Sequence, residues 1–371
     1  MDVSGRGEKA VPRIEVAVVS AGGAGRAHIQ RFVKNPRVNL VAIYDPREEM
    51  LKEFSWLESA GGYTTTEYRE LLEDNRIELI SICSPDHTHV EYAKNAVEAG
   101  KHVLVEKPMA TTLEQCEELR RTLEGARIKF GVHHQMRYVP CFRKAKEILG
   151  SGRLGTPLII EADYVHDMRE RATRFDSWRL GKSEPQEVVL GMSSHTIDLI
   201  RWMVDEEVEE VFAYATHVGW EEYPTYDTVM VLLKFRDNII GKTMSTIACR
   251  RTQMNTLYIY GVDGCIVDNL LITRNGLEEI FHKLPAESPG AKLRSIQARM
   301  LSASNKMQNY PFTIYEHEKA CKDLLDDYLE CIIEDREFGV GFSEGAYTVE
   351  ICLACAESYK TGKPVKLRRS L

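Results

Sequence analysis

No stretch of this 371-residue chain has the roughly 18 consecutive apolar residues of a membrane-spanning helix. Its first residues, MDVSGRGEKAVP, lack the apolar core of a signal peptide. Both absences point to a cytoplasmic protein with no membrane contact. There is also no concentrated basic stripe. The 48 Lys and Arg are outnumbered by 56 Asp and Glu, a formal net charge of −8, which argues against a nucleic-acid partner and leaves small molecules. Nine cysteines, an odd number scattered through apolar stretches such as LISICSP and VEICLACAESY, do not make a disulfide framework. Cys352 and Cys355 form one CxxC, but no second pair or histidine stands near it, so it reads as core packing and not as a metal or redox site. Internal repeats and low-complexity tracts are absent too.

What is there is an ordinary globular composition, 43% apolar and 28% charged, on a chain long enough for two domains at roughly 100–200 residues each. From 14 to about 137, short apolar runs at 14–20, 38–45, 78–84, 102–107 and 128–134 alternate with amphipathic stretches. Near-continuous apolar strands are those buried on both faces. The alternation therefore predicts a doubly wound parallel sheet, a Rossmann-type α/β domain over 1–137. Beyond about 150 the texture changes. β-branched and aromatic runs at 156–166, 208–218, 226–235, 239–248 and 255–261 follow one another with a single helical interruption at 193–204. Consecutive strands predict an open, mostly antiparallel sheet, so the second domain, 138–371, reads as α+β. Helical patterns at 316–334 and 343–360 close the chain, and 283–312 reads as a loop or arm. One face of such an open sheet needs covering, which predicts a homodimer or homotetramer through it.

The first strand runs into Ser20-Ala21-Gly22-Gly23-Ala24-Gly25 and then a helical pattern. A dinucleotide turn wants glycine first for the tight bend, second for close approach to the pyrophosphate and third for helix-on-strand packing. Gly22 and Gly25 fill the second and third roles. Ser20 stands in the first, where a serine can make the turn if its φ stays negative. The helix that follows offers its positive end to an anion. Asp45 closes the second strand at the position where an acid accepts hydrogen bonds from the adenosine ribose. A carboxylate there repels a 2′-phosphate and favours NAD, while the neighbouring Arg47 keeps NADP open.

The order AGGAGRAH, YDP, SPDHTHVEYAKNAVEAGKHVLVEKPMA, RYVP, SHTIDLIRW and GKPVKL, from about residue 14 onward, resembles the Gfo/Idh/MocA oxidoreductase family. The resemblance implies NAD(P) and a sugar-like substrate. It puts Lys107 beside the nicotinamide and the substrate hydroxyl, with Glu106 and Pro108 shaping the bend. A lysine at the carboxyl end of a parallel strand points into the crevice where ligands bind. Ser84, Pro85 and His89 match the loop that passes the cofactor. His87 and His89 have no third ligand near them in sequence, so no metal site is expected. Arg137 matches the crossing into the second domain and faces either the active site or a structural partner. His195 and Asp198 match the family's HxxD. A histidine is suited to taking the alcohol proton near neutrality, and Asp198 either orients it or anchors the helix. Trp178 and Arg179 match a substrate-pocket WR, and Tyr164, His166 and Asp167 end a strand with polar groups that could join them.

Many relatives carry an aspartate four residues before the histidine, but this chain has Gly191 there. The leading expectation is hydride transfer to or from a secondary hydroxyl of a sugar, cyclitol or sugar derivative. Two other readings stay open at this stage: a nucleotide-binding regulator without turnover, and an NAD-dependent glycoside hydrolase.

Overall fold

The computed structural model describes residues 12–174, 177–182, 185–251, 253–267, 270–280 and 314–367. The expected arm at 283–312 lies outside them. The chain divides into two compact units. The first is Met1–Met109 with Glu114–Val132 and Leu325–Phe342, and the second is Ala110–Leu113 with His133–Leu324 and Ser343–Leu371.

In the first unit six parallel strands lie in the order β3-β2-β1-β4-β5-β6. They are β1 (Ile14–Val19), β2 (Val38–Tyr44), β3 (Tyr63–Thr65), β4 (Leu79–Ile82), β5 (His102–Val105) and β6 (Phe130–Val132). Reversal of strand order at β1 and β4 makes the topological switch point of a doubly wound sheet, where ligands sit at the carboxyl ends. Burial of β1 and β4 on both faces is why their sequences, IEVAVV and LISI, show no alternation. Only β3 was not announced by an apolar run, because three residues are too few for a period to show. Helix α1 (Gly23–Lys34) links β1 to β2, α2 (His89–Glu98) links β4 to β5, and α3 (Leu113–Leu123) links β5 to β6. α1 turns Gly25, His28, Ile29 and Phe32 inward at the spacing of one helical face. Tyr328 ties the returning segment to the sheet, its Oη donating to the carbonyls of Val103 and Lys129 at 2.6 and 2.7 Å.

Among the described residues the second unit is built on an eleven-stranded sheet. Its strands are β7 (Pro157–Glu161), β8 (Tyr164–Val165), β9 (Val208–Thr216), β10 (Thr228–Phe235), β11 (Ile240–Thr246), β12 (Met254–Asn255), β13 (Tyr258–Gly261), β14 (Gly264–Val267), β15 (Leu270–Thr273), β16 (Gly276–Glu279) and β17 (Val365–Lys366). β7 and β8 run parallel to β11, and every other pairing is antiparallel. β10 explains the layout: Val229, Val231, Leu233 and Phe235 are buried, while Met230 and Leu232 face outward. That is the period of a sheet covered on one face only. The covered face carries α5 (Ser194–Val204) and α7 (Phe342–Thr361); α4 (Pro140–Gly150) also belongs to this unit, and α6 (Ile314–Ile333) passes from it into the first at Leu325. α5 is seated on β11 by hydroxyls, Thr196 Oγ1 to Thr243 Oγ1 at 2.7 Å and Ser193 Oγ to Ser245 Oγ at 2.9 Å. α7 reaches β9 through Ser358 Oγ, which accepts from the Ala213 amide at 3.0 Å. Cys352 and Cys355 are buried thiols of α7, and none of the nine cysteines is in a disulfide. Among the described residues no helix is long and apolar enough to cross a membrane.

Candidate active site

The turn after β1 has the shape of an anion cradle. The Ser20 amide donates to the Tyr44 carbonyl at 2.7 Å, and α1 starts at Gly23 with neither a side-chain cap nor an acidic residue in its first turn. The amides of that turn, around Gly22, Gly23, Ala24 and Gly25, have no intrahelical acceptors and belong to the positive end of the helix. At Gly25 a Cβ would lie 1.8 Å from the Ser20 carbonyl oxygen, so only glycine lets α1 approach β1 this closely. One expectation is corrected here. Ser20 takes φ +79°, in the left-handed region, where glycine is the residue without a steric cost. Its Oγ compensates weakly, lying 3.4 Å from Asp45 Oδ2 and 3.3 Å from the Gly22 amide that donates to it. Ser20→Gly is therefore expected to stabilise the first unit by about 0.5–1 kcal/mol, a rise of roughly 1–4 °C in its unfolding midpoint. A fall on calorimetry would show that the Oγ contacts outweigh the strain.

Asp45 is 1% exposed and already well supplied with donors. Its Oδ2 accepts from the Ala21 amide at 2.9 Å and from Arg47 Nη2 at 3.3 Å, and its Oδ1 accepts from the Arg47 amide and Nε, both at 3.0 Å. Arg47, half exposed, thus lies over the carboxylate.

Lys107 stands two residues beyond the carboxyl end of β5, half-buried, and its bond to Pro108 is cis. Glu106 beside it is held by a residue the motif reading passed over. His28, on the buried face of α1, places one ring nitrogen 3.1 Å from Glu106 Oε1 and the other 2.9 Å from Ser81 Oγ. The only signal for His28 in the sequence is its position, one turn after Gly25 on the inward face. His89 is buried with its two nitrogens 2.7 Å from the Pro108 carbonyl and 2.9 Å from that of Ser84, so it ties the Ser84–Pro85 loop to the Lys107–Pro108 bend. His87 is exposed.

In the second unit His195 stands at the start of α5, 5% exposed, with its ring stacked on Tyr164 at 5.8 Å between centroids and 8° between planes. Tyr164 Oη lies 3.2 Å from His166 Nδ1. Burial, helped by Arg171 and Arg179 and opposed by Asp167, pulls His166 down to about 4, which leaves it neutral near pH 7. Asp167 is engaged by Arg169 at 2.8 and 2.9 Å.

Arg137 and Asp198 are given to each other. Nε donates to Oδ2 at 2.8 Å and Nη2 to Oδ1 at 2.7 Å, both groups buried, with Glu344 a further partner of Arg137. Burial alone would raise the Asp198 carboxyl, but the charges of Arg137, His134 and Arg201 and the Arg137 hydrogen bonds hold it at about 2. This geometry is that of the structural pair and the helix anchor weighed above.

Gly191 lies in the π-helical turn Val189–Ser193 that leads into α5. A Cβ there would come within 2.4 Å of Gln186 Cδ, so a glutamine side chain fills the space beside it. Arg179, whose guanidinium lies 4.4 Å over the Trp178 ring, donates to Gln186 Oε1. A neutral amide, not a carboxylate, thus lies against Gly191, four residues before His195, and nothing in the motif singled out Gln186.

A doubly wound sheet with a bare glycine cradle, joined in one chain to an open-sheet unit with a buried histidine, is the build of a dinucleotide-dependent enzyme. The family model "Oxidoreductase family, NAD-binding Rossmann fold" matches residues 14–134, and "GFO/IDH/MocA C-terminal domain" matches 142–267. The chain belongs to this family and is an oxidoreductase with an NAD-binding first unit. It is 24% identical over 363 residues to the uncharacterized oxidoreductase YrbE of Bacillus subtilis, covering 96% of this chain and 98% of that one. It is 27% identical over 286 residues to the levoglucosan dehydrogenase of Pseudarthrobacter phenanthrenivorans, covering 69% of this chain and 73% of that one. It is also 27% identical over 232 residues to the myo-inositol 2-dehydrogenase of Thermotoga maritima, at 62% and 67% coverage. A structure of levoglucosan dehydrogenase in complex with NADH superposes with a TM-score of 0.79 at 22% identity, over 96% of this chain and 99% of that one, a likeness of fold.

Proposed function

We propose that the protein uses NAD to oxidise a secondary hydroxyl of a sugar, cyclitol or sugar derivative, or to reduce the corresponding ketone. The observation that carries this reading is the turn from Ser20 to Gly25, where backbone packs so closely that a side chain at Gly25 is impossible and the helix end is left to an anion. The cradle fits a dinucleotide's diphosphate, with Asp45 at its edge for the ribose. Asp45 would accept from the ribose hydroxyls, and the half-exposed Arg47 side chain that now donates to it would have to give up those bonds. When bound, the nicotinamide takes or gives the hydride.

The chain's own groups handle the oxygen and the proton. Lys107 donates through Nζ to the substrate oxygen and stabilises the negative charge that grows on it. A ring nitrogen of His195 takes the hydroxyl proton, and the stacked Tyr164 keeps the imidazole plane in place. Tyr164, Trp178 and Arg179 line the substrate's side, while Arg137 and Asp198 hold α5, and with it His195, at a fixed height. His89 and the His28–Glu106 pair set the bend from which Lys107 projects.

A regulatory reading has one observation in its favour, the neutral Gln186 amide in place of a carboxylate beside Gly191. The test separates the two. The purified protein is incubated with NAD and polyols deuterated at the carbinol carbon. Transfer of deuterium to the nicotinamide with at least one polyol is expected, whereas binding of NADH with no transfer from any of them would overturn the dehydrogenase reading and favour the regulator.

We also propose a homodimer or homotetramer through the open sheet face, where Leu158, Tyr214, Met230, Leu232 and Ile240 are exposed. A monomer mass by light scattering at micromolar concentration would rule this out. Nine cysteines outside any disulfide suit a reducing, cytoplasmic setting.

A further inference from the structure

We propose that the Asn255 carboxamide binds a hydroxyl group of the substrate beside His195, a specificity role that rests on the dehydrogenase reading above. β8 lies between two strands, β11 and β12, and Tyr164 pairs in register with Ser245 on one side and Asn255 on the other. Directly paired residues turn their side chains to the same face of a sheet. Tyr164 shows which face this is, since its ring stacks on His195 at the start of α5. Along that row the first two members are engaged, Ser245 Oγ with Ser193 Oγ at 2.9 Å and Tyr164 with the imidazole.

Asn255 is the exception. It is 3% exposed, yet among the described residues neither its Oδ1 nor its Nδ2 has a hydrogen-bond partner. The strand around it is not loose: the adjacent Thr256 exchanges bonds with Asp163, its amide donating to the carbonyl at 3.1 Å and its Oγ1 accepting from the Asp163 amide at 3.2 Å. Buried carboxamides are almost always bonded, because removing one from water without a new partner is costly. A group kept at that cost, one strand from the Tyr164–His195 stack, has the placement of a ligand contact. The carboxamide offers one acceptor and two donors and carries no charge, which complements a hydroxyl that donates and accepts. It favours a neutral polyol over one bearing a carboxylate or phosphate at that position.

The test uses the full chain with Asn255→Leu, nearly the same shape without the amide, and Asn255→Ala. The first readout needs no activity. Removing a buried amide that the chain does not use should leave the Asn255→Leu unfolding midpoint unchanged or raise it by up to about 4 °C. A clear fall, or failure to fold, would show that the amide is structural and overturn the proposal. The second readout is kinetic, on the best polyol of the panel. Both variants are expected to raise KM about tenfold with kcat within about threefold. Substrates lacking one hydroxyl should also include one that loses specificity with the wild type but loses no more with Asn255→Leu. Unchanged KM, or deoxy penalties identical in wild type and variant, would overturn it. Should no polyol be oxidised, the dehydrogenase reading itself has failed. Asn255 is then judged by whether polyols raise the midpoint of the wild type and not of Asn255→Leu, and equal shifts in the two count against it.

Discussion

Lys107→Ala is expected to lower kcat by about 10²–10⁴-fold while leaving NADH affinity within about threefold. The asymmetry follows from what the residue is asked to do. In the proposed reading diphosphate and ribose would be held by the Ser20–Gly25 turn and by Asp45, at the ends of β1 and β2 and the start of α1, so the nucleotide should not register the change. The substrate oxygen, by contrast, becomes more negative as its proton leaves, and a positioned ammonium acts on that charge where it develops. A neighbour could not take over easily, because Glu106 is the residue next to Lys107 and carries the opposite charge, held by His28 at 3.1 Å. Lys107→Arg should recover only part of the rate, since a planar fork cannot occupy the place of a compact ammonium. Stopped-flow measurement of NADH formation, with nucleotide affinity read by fluorescence, separates the two effects. Equal turnover in the variant would remove Lys107 from the chemistry, and a parallel loss of nucleotide binding would show that the bend at 106–108 had collapsed.

How much of this was legible depended on whether a residue's role is local or long-range. The parallel strands of the first unit announce themselves because burial on both faces forces a continuous apolar run, and β10 does so because burial on one face forces alternation. Gly25 was readable for the same reason: a close approach leaves only one residue type possible. The conformation of Ser20 was not legible, since the preference for glycine at positive φ points a serine there to negative φ, and it takes +79°. The tie between Arg137 and Asp198, 61 positions apart, and the filling of the Gly191 space by Gln186 were not readable, because periodicity carries no information on which distant side chain meets which. Asn255 is the extreme case. It occupies a two-residue strand and belongs to no motif, and what sets it apart is a missing bond.

The Arg137–Asp198 pair also sets the second large expectation. Arg137→Ala should destabilise the second unit by roughly 3–5 kcal/mol, because the carboxylate of Asp198 stays fully buried with its two best donors gone. In a unit of this size that corresponds to a fall of about 6–20 °C in midpoint. Arg201 cannot substitute. Its Nη1 stands 4.0 Å from Asp198 Oδ1 and is already donating to Thr348 Oγ1 at 2.9 Å. The pH dependence identifies the cause. In the wild type the folded-state carboxyl is depressed to about 2, below its unfolded value near 4, so its contribution is present above about pH 4 and is lost as pH falls toward 2. Without Arg137 the sign reverses. Burial then raises the carboxyl above its unfolded value, and the penalty, largest near neutrality, is relieved as the group takes up a proton. The gap between wild type and Arg137→Ala should therefore narrow between about pH 7 and about pH 4. The double variant Arg137→Met, Asp198→Leu, which removes both charges and keeps the volume, should recover most of the loss. Denaturant titrations at the two pH values decide it, and a gap below about 1 kcal/mol, or one that does not change with pH, would mean that the pair does not hold α5 in place.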